Sequence, residues 1–78
     1  MTHLTPEVVR IVRQFKGMTQ AELGKTAGIS QRMVAYIEAG ACRITERMEP
    51  KLRQALGIDD QTIREIQKIY QRVTSDSN

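Results

Sequence analysis

Four punctuation residues inside twenty-two constrain this chain more than anything else in it. The stretch Thr19 to Gly40, TQAELGKTAGISQRMVAYIEAG, carries a cap, a turn glycine, a second cap and a stop. The Thr19 hydroxyl can accept from backbone N–H groups that a first helical turn leaves unpaired, and Gln20 to Thr26 follow with helix-favouring residues. Leu23 and Ala27, four apart, form an inward face. Gly28 stands where the chain must turn, since glycine adopts a left-handed backbone at little cost, and Ile29 tucks into the core at that corner. Ser30 caps a second helix, Gln31 to Ala39, with Val34, Ile37 and Ala41 inward and Gly40 as terminator. The outward stripe is Gln31, Arg32, Ala35, Tyr36 and Ala39. It offers an amide and a guanidinium that match base edges, a small residue that permits close approach, an aromatic hydroxyl and no acid.

On these residues the chain resembles the lambda-repressor and Cro-like (XRE-type) helix-turn-helix family. The family pattern is a cap, Gln, alanine or acid, Glu, Leu, then Gly, an apolar residue, Ser or Thr, and later Ile-Glu-x-Gly. Thr19-Gln20-Ala21-Glu22-Leu23, Gly28-Ile29-Ser30 and Ile37-Glu38-Ala39-Gly40 match it. The resemblance runs from about residue 8 to 62. It implies an all-α, five-helix DNA-binding domain, an ion pair between Arg13 and Glu38, and a fourth helix within residues 47–58. Gly24 departs from the pattern, where the family usually has alanine; glycine costs about 1 kcal/mol in a helix interior, tolerable where packing is close.

The 78 residues, 40% hydrophobic and 27% charged, suit one small domain whose own core is marginal. A formal net charge of +3 has the sign a polyanion partner requires. One cysteine excludes an intrachain disulfide framework, and no apolar run reaches the length of a signal-peptide core or membrane span, which points to the cytoplasm, in association with the nucleoid. Cys42 reads as a small filler. No repeat or low-complexity tract divides the chain.

Residues 1–4 read as a short lead and His3 as tail: with no second histidine, a metal site is not expected. The single domain spans 5–73. Thr5-Pro6-Glu7 starts helix 1 with a cap, a proline at the first helical position and an acid at the positive dipole end. Val8, Val9, Ile11, Val12 and Phe15 give this helix a wide apolar face to about Lys16, and Gly17 ends it. After Gly40 comes a loop with Arg43 and Arg47, which the resemblance places beside the DNA backbone; the other reading pairs these arginines with Glu46 and Glu49. Pro50 falls in the first turn of helix 4, with Leu52, Ala55 and Leu56 inward and Gly57 as stop.

Helix 5 is expected from about Gln61 to Val73, capped by Asp59 or Asp60. Ile63, Ile66, Tyr70 and Val73 follow a three-four spacing, with Ile69 beside them. Either helix 1 covers this seam or a second copy does; a homodimer through these four residues is the expectation. Residues 74–78 read as a disordered tail.

The function expected is a transcriptional repressor, a homodimer that binds a near-palindromic operator in double-stranded DNA. Gln31, Arg32 and Tyr36 would contact bases. Thr19, Gln20, Arg43 and Arg47 would contact phosphates, with Gln20 also bracing Gln31 and the N-terminus of helix 2 set against a phosphate. Met33, on the border, either touches a thymine methyl or packs. No cofactor and no small-molecule effector domain are expected. The alternative is an antitoxin-type protein that neutralises a toxin through helix 5 and represses its own promoter; an antirepressor is the other conceivable protein partner. An enzyme is not expected, because one histidine, one cysteine and no assembled acid pair supply no converging nucleophile, base and orienting group, Asp59-Asp60 being explained by capping.

Overall fold

Most helix boundaries are written in the local sequence. The computed structural model describes residues 2–75, which form α1 (Pro6–Phe15), α2 (Gln20–Ala27), α3 (Gln31–Glu38), α4 (Met48–Leu56) and α5 (Asp60–Ser75). Thr5, Thr19 and Ser30 cap the first three helices through their hydroxyls, which accept from Val8, Glu22 and Met33 N–H at 3.4, 3.0 and 3.0 Å. Asp59 caps α5 by accepting from Thr62 N–H at 2.9 Å. The first four helices end in the same closure: the N–H of the residue after the terminal glycine reaches back to the carbonyl five residues earlier, as Ile29 does to Gly24 at 2.8 Å. At Gly28 φ is +76°, where a side chain would be strained, so this glycine sets the direction in which α3 leaves α2.

The core is built from every helix: Leu4, Val8, Val9, Val12, Leu23, Ala27, Val34, Ile37, Leu52, Leu56 and Ile63. Around it Ile29, Met33, Cys42, Ile44, Ile58 and Ile66 are partly buried. α2 packs on α3 and α4, and α1 packs on α3, α4 and α5.

Four expectations change. The lead is pinned: Leu4 is buried in the core, Arg53 donates to the Thr2 carbonyl at 2.8 Å, and Gln67 donates to the His3 carbonyl at 2.9 Å. His3 is a rim contact of Glu49 at 3.7 Å. Phe15 is 90% exposed, because the core ends one turn earlier, and beyond it Gly57 has no side chain with which to cover the ring. Ala41 is exposed, since the left-handed Gly40 swings the chain outward and Cys42 and Ile44 fill the place inside. Finally, α5 continues through Thr74 and Ser75; residues 76–78 lie outside the described residues.

Two caps contribute to the acid sensitivity. The Thr19 N–H, at 2.8 Å, holds the Glu22 carboxyl below its ordinary value, and the Thr62 N–H does the same for the Asp59 carboxyl. A depressed folded-state pKa stabilises the fold in full above the unfolded-state value, about pH 4, and that stabilisation is lost as pH falls through the lower folded value. Glu22→Gln and Asp59→Asn therefore flatten the decline of unfolding free energy between about pH 5 and pH 2, measured by denaturant titration at each pH. A slope equal to wild type would show that the caps do not set it.

Candidate nucleic-acid interface

One buried network holds the two helices of the motif in place. Glu38, at the end of α3, is 8% exposed and the one charged residue of the interior among the described residues. Its carboxylate accepts from Arg13 Nε at 2.6 Å and from a second Arg13 nitrogen at 2.9 Å, a two-bond fork, and from Gln20 Nε2 at 3.1 Å. Arg13 also donates to the Met18 carbonyl at 2.8 Å. The carboxylate, chiefly through its hydrogen bonds, raises the Arg13 pKa above its ordinary value, so the guanidinium keeps its charge. A residue of α1, the turn before α2, the first residue of α2 and the last of α3 are thus tied at one point.

In this structure Gln20 donates to Glu38 and not to Gln31, so the C-terminal end of α3 is tied to the start of α2. The start of α2 is also less of an anion site than free N–H groups alone would make it. Glu22 closes a capping box on Thr19, with both hydrogen bonds present, and puts a carboxylate there. The backbone N–H groups of Gln20 and Ala21 have no partner among the described residues, while those of Thr19 and Glu22 are taken. The capping box was legible as Thr19-x-x-Glu22 in the sequence.

Close approach of α2 to the turn explains Gly24. A methyl group built there would stand 2.7 Å from the Ile29 carbonyl oxygen and 3.3 Å from Gln31 N.

The outer face of α3 is open. Gln31 and Arg32 are exposed, Tyr36 is 48% exposed, and none of the three side chains has a hydrogen bond or ion pair among the described residues. Ala35 and Ala39 lie between and beside them. Met33 belongs to the inner side: it packs against the core, and its sulfur lies 3.3 Å from the Cys42 thiol, which donates to it. Beyond α3, Arg43 and Arg47 are exposed and form no ion pair among the described residues. Glu49 is unavailable to them, since it holds Arg53 at 2.8 Å. Arg53 in turn reaches Asp60, and its pKa lies above the ordinary value, chiefly through that hydrogen bond. The outer side of α3 and the loop after it therefore carry cations, Arg32, Arg43 and Arg47, without an ion-pair partner among the described residues.

The four residues expected to pair two copies do not act together. Ile63 is fully buried in the core, and Tyr70 is half-buried beside Thr5 and Val8. Ile66 is partly buried, Val73 is 63% exposed, and Ile69 is 59% exposed. The three-four spacing marked two overlapping stripes, of which α1 covers one.

Among the described residues no group of histidine, cysteine or acidic side chains is placed to hold a metal ion, and no helix is long and apolar enough to cross a membrane.

Comparison with known proteins agrees with this geometry. Residues 9–63 match the family model described as Helix-turn-helix. Among solved structures, the crystal structure of a tyrosine-to-alanine mutant of the restriction-modification controller protein C.Esp1396I is similar in fold, with a TM-score of 0.74 at 20% identity, covering 90% of this chain and 88% of that one. No curated protein matches the sequence. With the capped helix pair, its locked Arg13–Glu38 fork and the match over residues 9–63 in view, the chain belongs to the lambda-repressor-like (XRE-type) helix-turn-helix family of DNA-binding transcription regulators.

Proposed function

We propose that the protein is a repressor that binds a near-palindromic operator as a homodimer, reading bases with α3. The observation that carries this is the outer face of α3 itself: Gln31, Arg32 and Tyr36 exposed without intramolecular partners, beside the unpaired Arg43 and Arg47. An eight-residue helix is about 12 Å long and covers only a few base pairs. Two copies, with their α3 helices about 34 Å apart on one face of the duplex, double the sequence that is read.

Gln31 pairs through two hydrogen bonds with adenine and Arg32 with guanine, while Tyr36 meets a base or sugar further along. Ala35 and Ala39 let the helix backbone approach. Thr19 and Gln20 at the start of α2, and Arg43 and Arg47 in the loop, take phosphates. Gln20 does so with the part of its amide that Glu38 leaves free. Repression follows from occlusion of a promoter.

Selection of bound duplexes from a randomised library at about physiological salt tests the reading, because specificity shows as enrichment over nonspecific binding. A near-palindromic motif with half-sites about one turn apart is the expected result. Folded protein without any enriched motif would overturn it and favour the antitoxin-type alternative.

Arg32→Ala costs about 1–3 kcal/mol on the selected operator and relaxes one base position per half-site, whereas Arg43→Ala weakens all duplexes alike and lowers the salt slope by about 1. Fluorescence anisotropy on the operator and its single-base variants separates the two. Equal losses on every sequence for both variants would refute this division of labour.

A further inference from the structure

A cationic cleft between the end of α2 and the body of α4 has no part in the base and phosphate contacts above. It encloses about 440 Å³, with Lys25 and Thr26 on the α2 side and Lys51 and Gln54 on the α4 side. The rest of its lining is Ala27, Gly28 and Ala55, so no acid borders it. Both lysines are exposed, and neither has an ion pair among the described residues. Each helix carries an acid that could have compensated them, but both acids are committed elsewhere: Glu22 closes the capping box on Thr19, and Glu49 holds Arg53. Two like charges therefore border one recess with nothing in the fold set against them.

We infer that this cleft docks an acidic segment of a partner protein, an extended stretch whose carboxylates meet Lys25 on one side and Lys51 on the other. The side-chain amide of Gln54 has no hydrogen bond among the described residues and adds a donor. The Thr26 hydroxyl already donates to the Glu22 carbonyl at 2.9 Å, so toward the docked chain its oxygen accepts, as a peptide N–H requires. The small lining residues let a backbone come close, and even a methyl group added at Gly28 would meet nothing within 4 Å.

Other anions fit this recess less well. A duplex presents its phosphates on a convex surface, which suits the open outer face of α3 and not a cleft between two helices. A small phosphate ligand is held where several free backbone N–H groups converge. Here the Gly28 N–H is bonded to the Gly24 carbonyl, and the other residues of the lining lie within helices. The C-terminus of α2 also directs the negative end of its dipole to this place, which opposes a compact polyanion. Carboxylates spaced along a chain need one side-chain cation each and avoid that end. The inference goes beyond operator binding and does not rest on it.

The test is a titration of the isotope-labelled full chain, followed by heteronuclear NMR, with a blocked octapeptide of alternating glutamate and alanine. In an extended peptide its carboxylates fall on one side, roughly 7 Å apart. Saturable shift changes are expected around Lys25 and Gly28 and around Lys51 and Gln54, and none with the glutamine analogue. Lys25→Glu and Lys51→Glu, each alone, should weaken binding by about fivefold or more, with the remaining spectrum as the check on folding. No saturable change, changes confined to Arg32, Arg43 and Arg47, or an affinity indifferent to both reversals would overturn the proposal. So would DNA contact by the same lysines: Lys25→Ala and Lys51→Ala would then weaken binding to a duplex of arbitrary sequence and lower its salt slope by about 1 each. The peptide titration contains no DNA, so its failure leaves the operator reading to be judged by the duplex selection alone.

Discussion

Glu38→Ala lowers the unfolding free energy by about 3–5 kcal/mol, the loss expected when one partner of a buried ion pair is removed. Removing the carboxylate strands the Arg13 guanidinium, whose side chain is only 12% exposed, with the Met18 carbonyl as its remaining acceptor. Gln20 loses its partner at the same time. In a domain of this size each kcal/mol shifts the midpoint by roughly 4–8 °C, so thermal unfolding should move down by more than about 10 °C. The decisive control is the double variant Arg13→Met with Glu38→Leu. Because a buried pair costs desolvation that its attraction only partly repays, apolar replacements of similar volume recover much of the loss. A double variant as unstable as Glu38→Ala would show that the fork is not the cause. Operator affinity supplies a second readout: the network ties α1, α2 and α3 together, so the double variant, although stable, should bind DNA less tightly if the fork also sets the angle of α3.

Gly24→Ala destabilises the fold by about 1–3 kcal/mol, against the gain of roughly 1 kcal/mol that helix propensity alone assigns to it. The new methyl would lie 2.7 Å from the Ile29 carbonyl oxygen, a backbone atom that cannot rotate aside. That oxygen belongs to the turn between α2 and α3, and Ile29 N–H is itself bonded to the Gly24 carbonyl at 2.8 Å. Relief of the clash therefore requires α2 and the turn to separate. The variant should consequently lose sequence discrimination as well as stability, since α3 leaves that turn. Denaturant unfolding and anisotropy on the selected operator measure the two effects. A variant more stable than wild type would mean that the turn yields at no cost, and the close approach would then not be the reason for glycine.

The all-α class, the helix pair and most boundaries were legible because they are set by local chemistry. Thr19, Ser30 and Asp59 cap the helices that follow them, and Gly28, Gly40 and Gly57 adopt the left-handed backbone their positions suggested. Leu23, Val34, Ile37, Leu52 and Leu56 are buried where spacing placed them. Spacing was less informative at element ends. Phe15 continues the stripe of Val8 and Val12 by position, yet no other element extends far enough to cover it. On α5, neither Ile63 nor Val73 differs in kind from its neighbours; one is buried and one exposed because α1 runs along only one side of the helix.

Capping and periodicity by themselves determined the helices on either side of the turn at Gly28 and an outward stripe of Gln31, Arg32 and Tyr36, because each of these depends on residues within one or two turns of one another, while the count of five helices was what the family resemblance implied. Only the tertiary structure decided which partner Gln20 takes, why Gly24 has no side chain, that residues 2–4 are anchored and which side of α5 remains open. Those outcomes join residues distant in sequence, such as Arg13 with Glu38 and Thr2 with Arg53, and so depend on how the helices pack against one another.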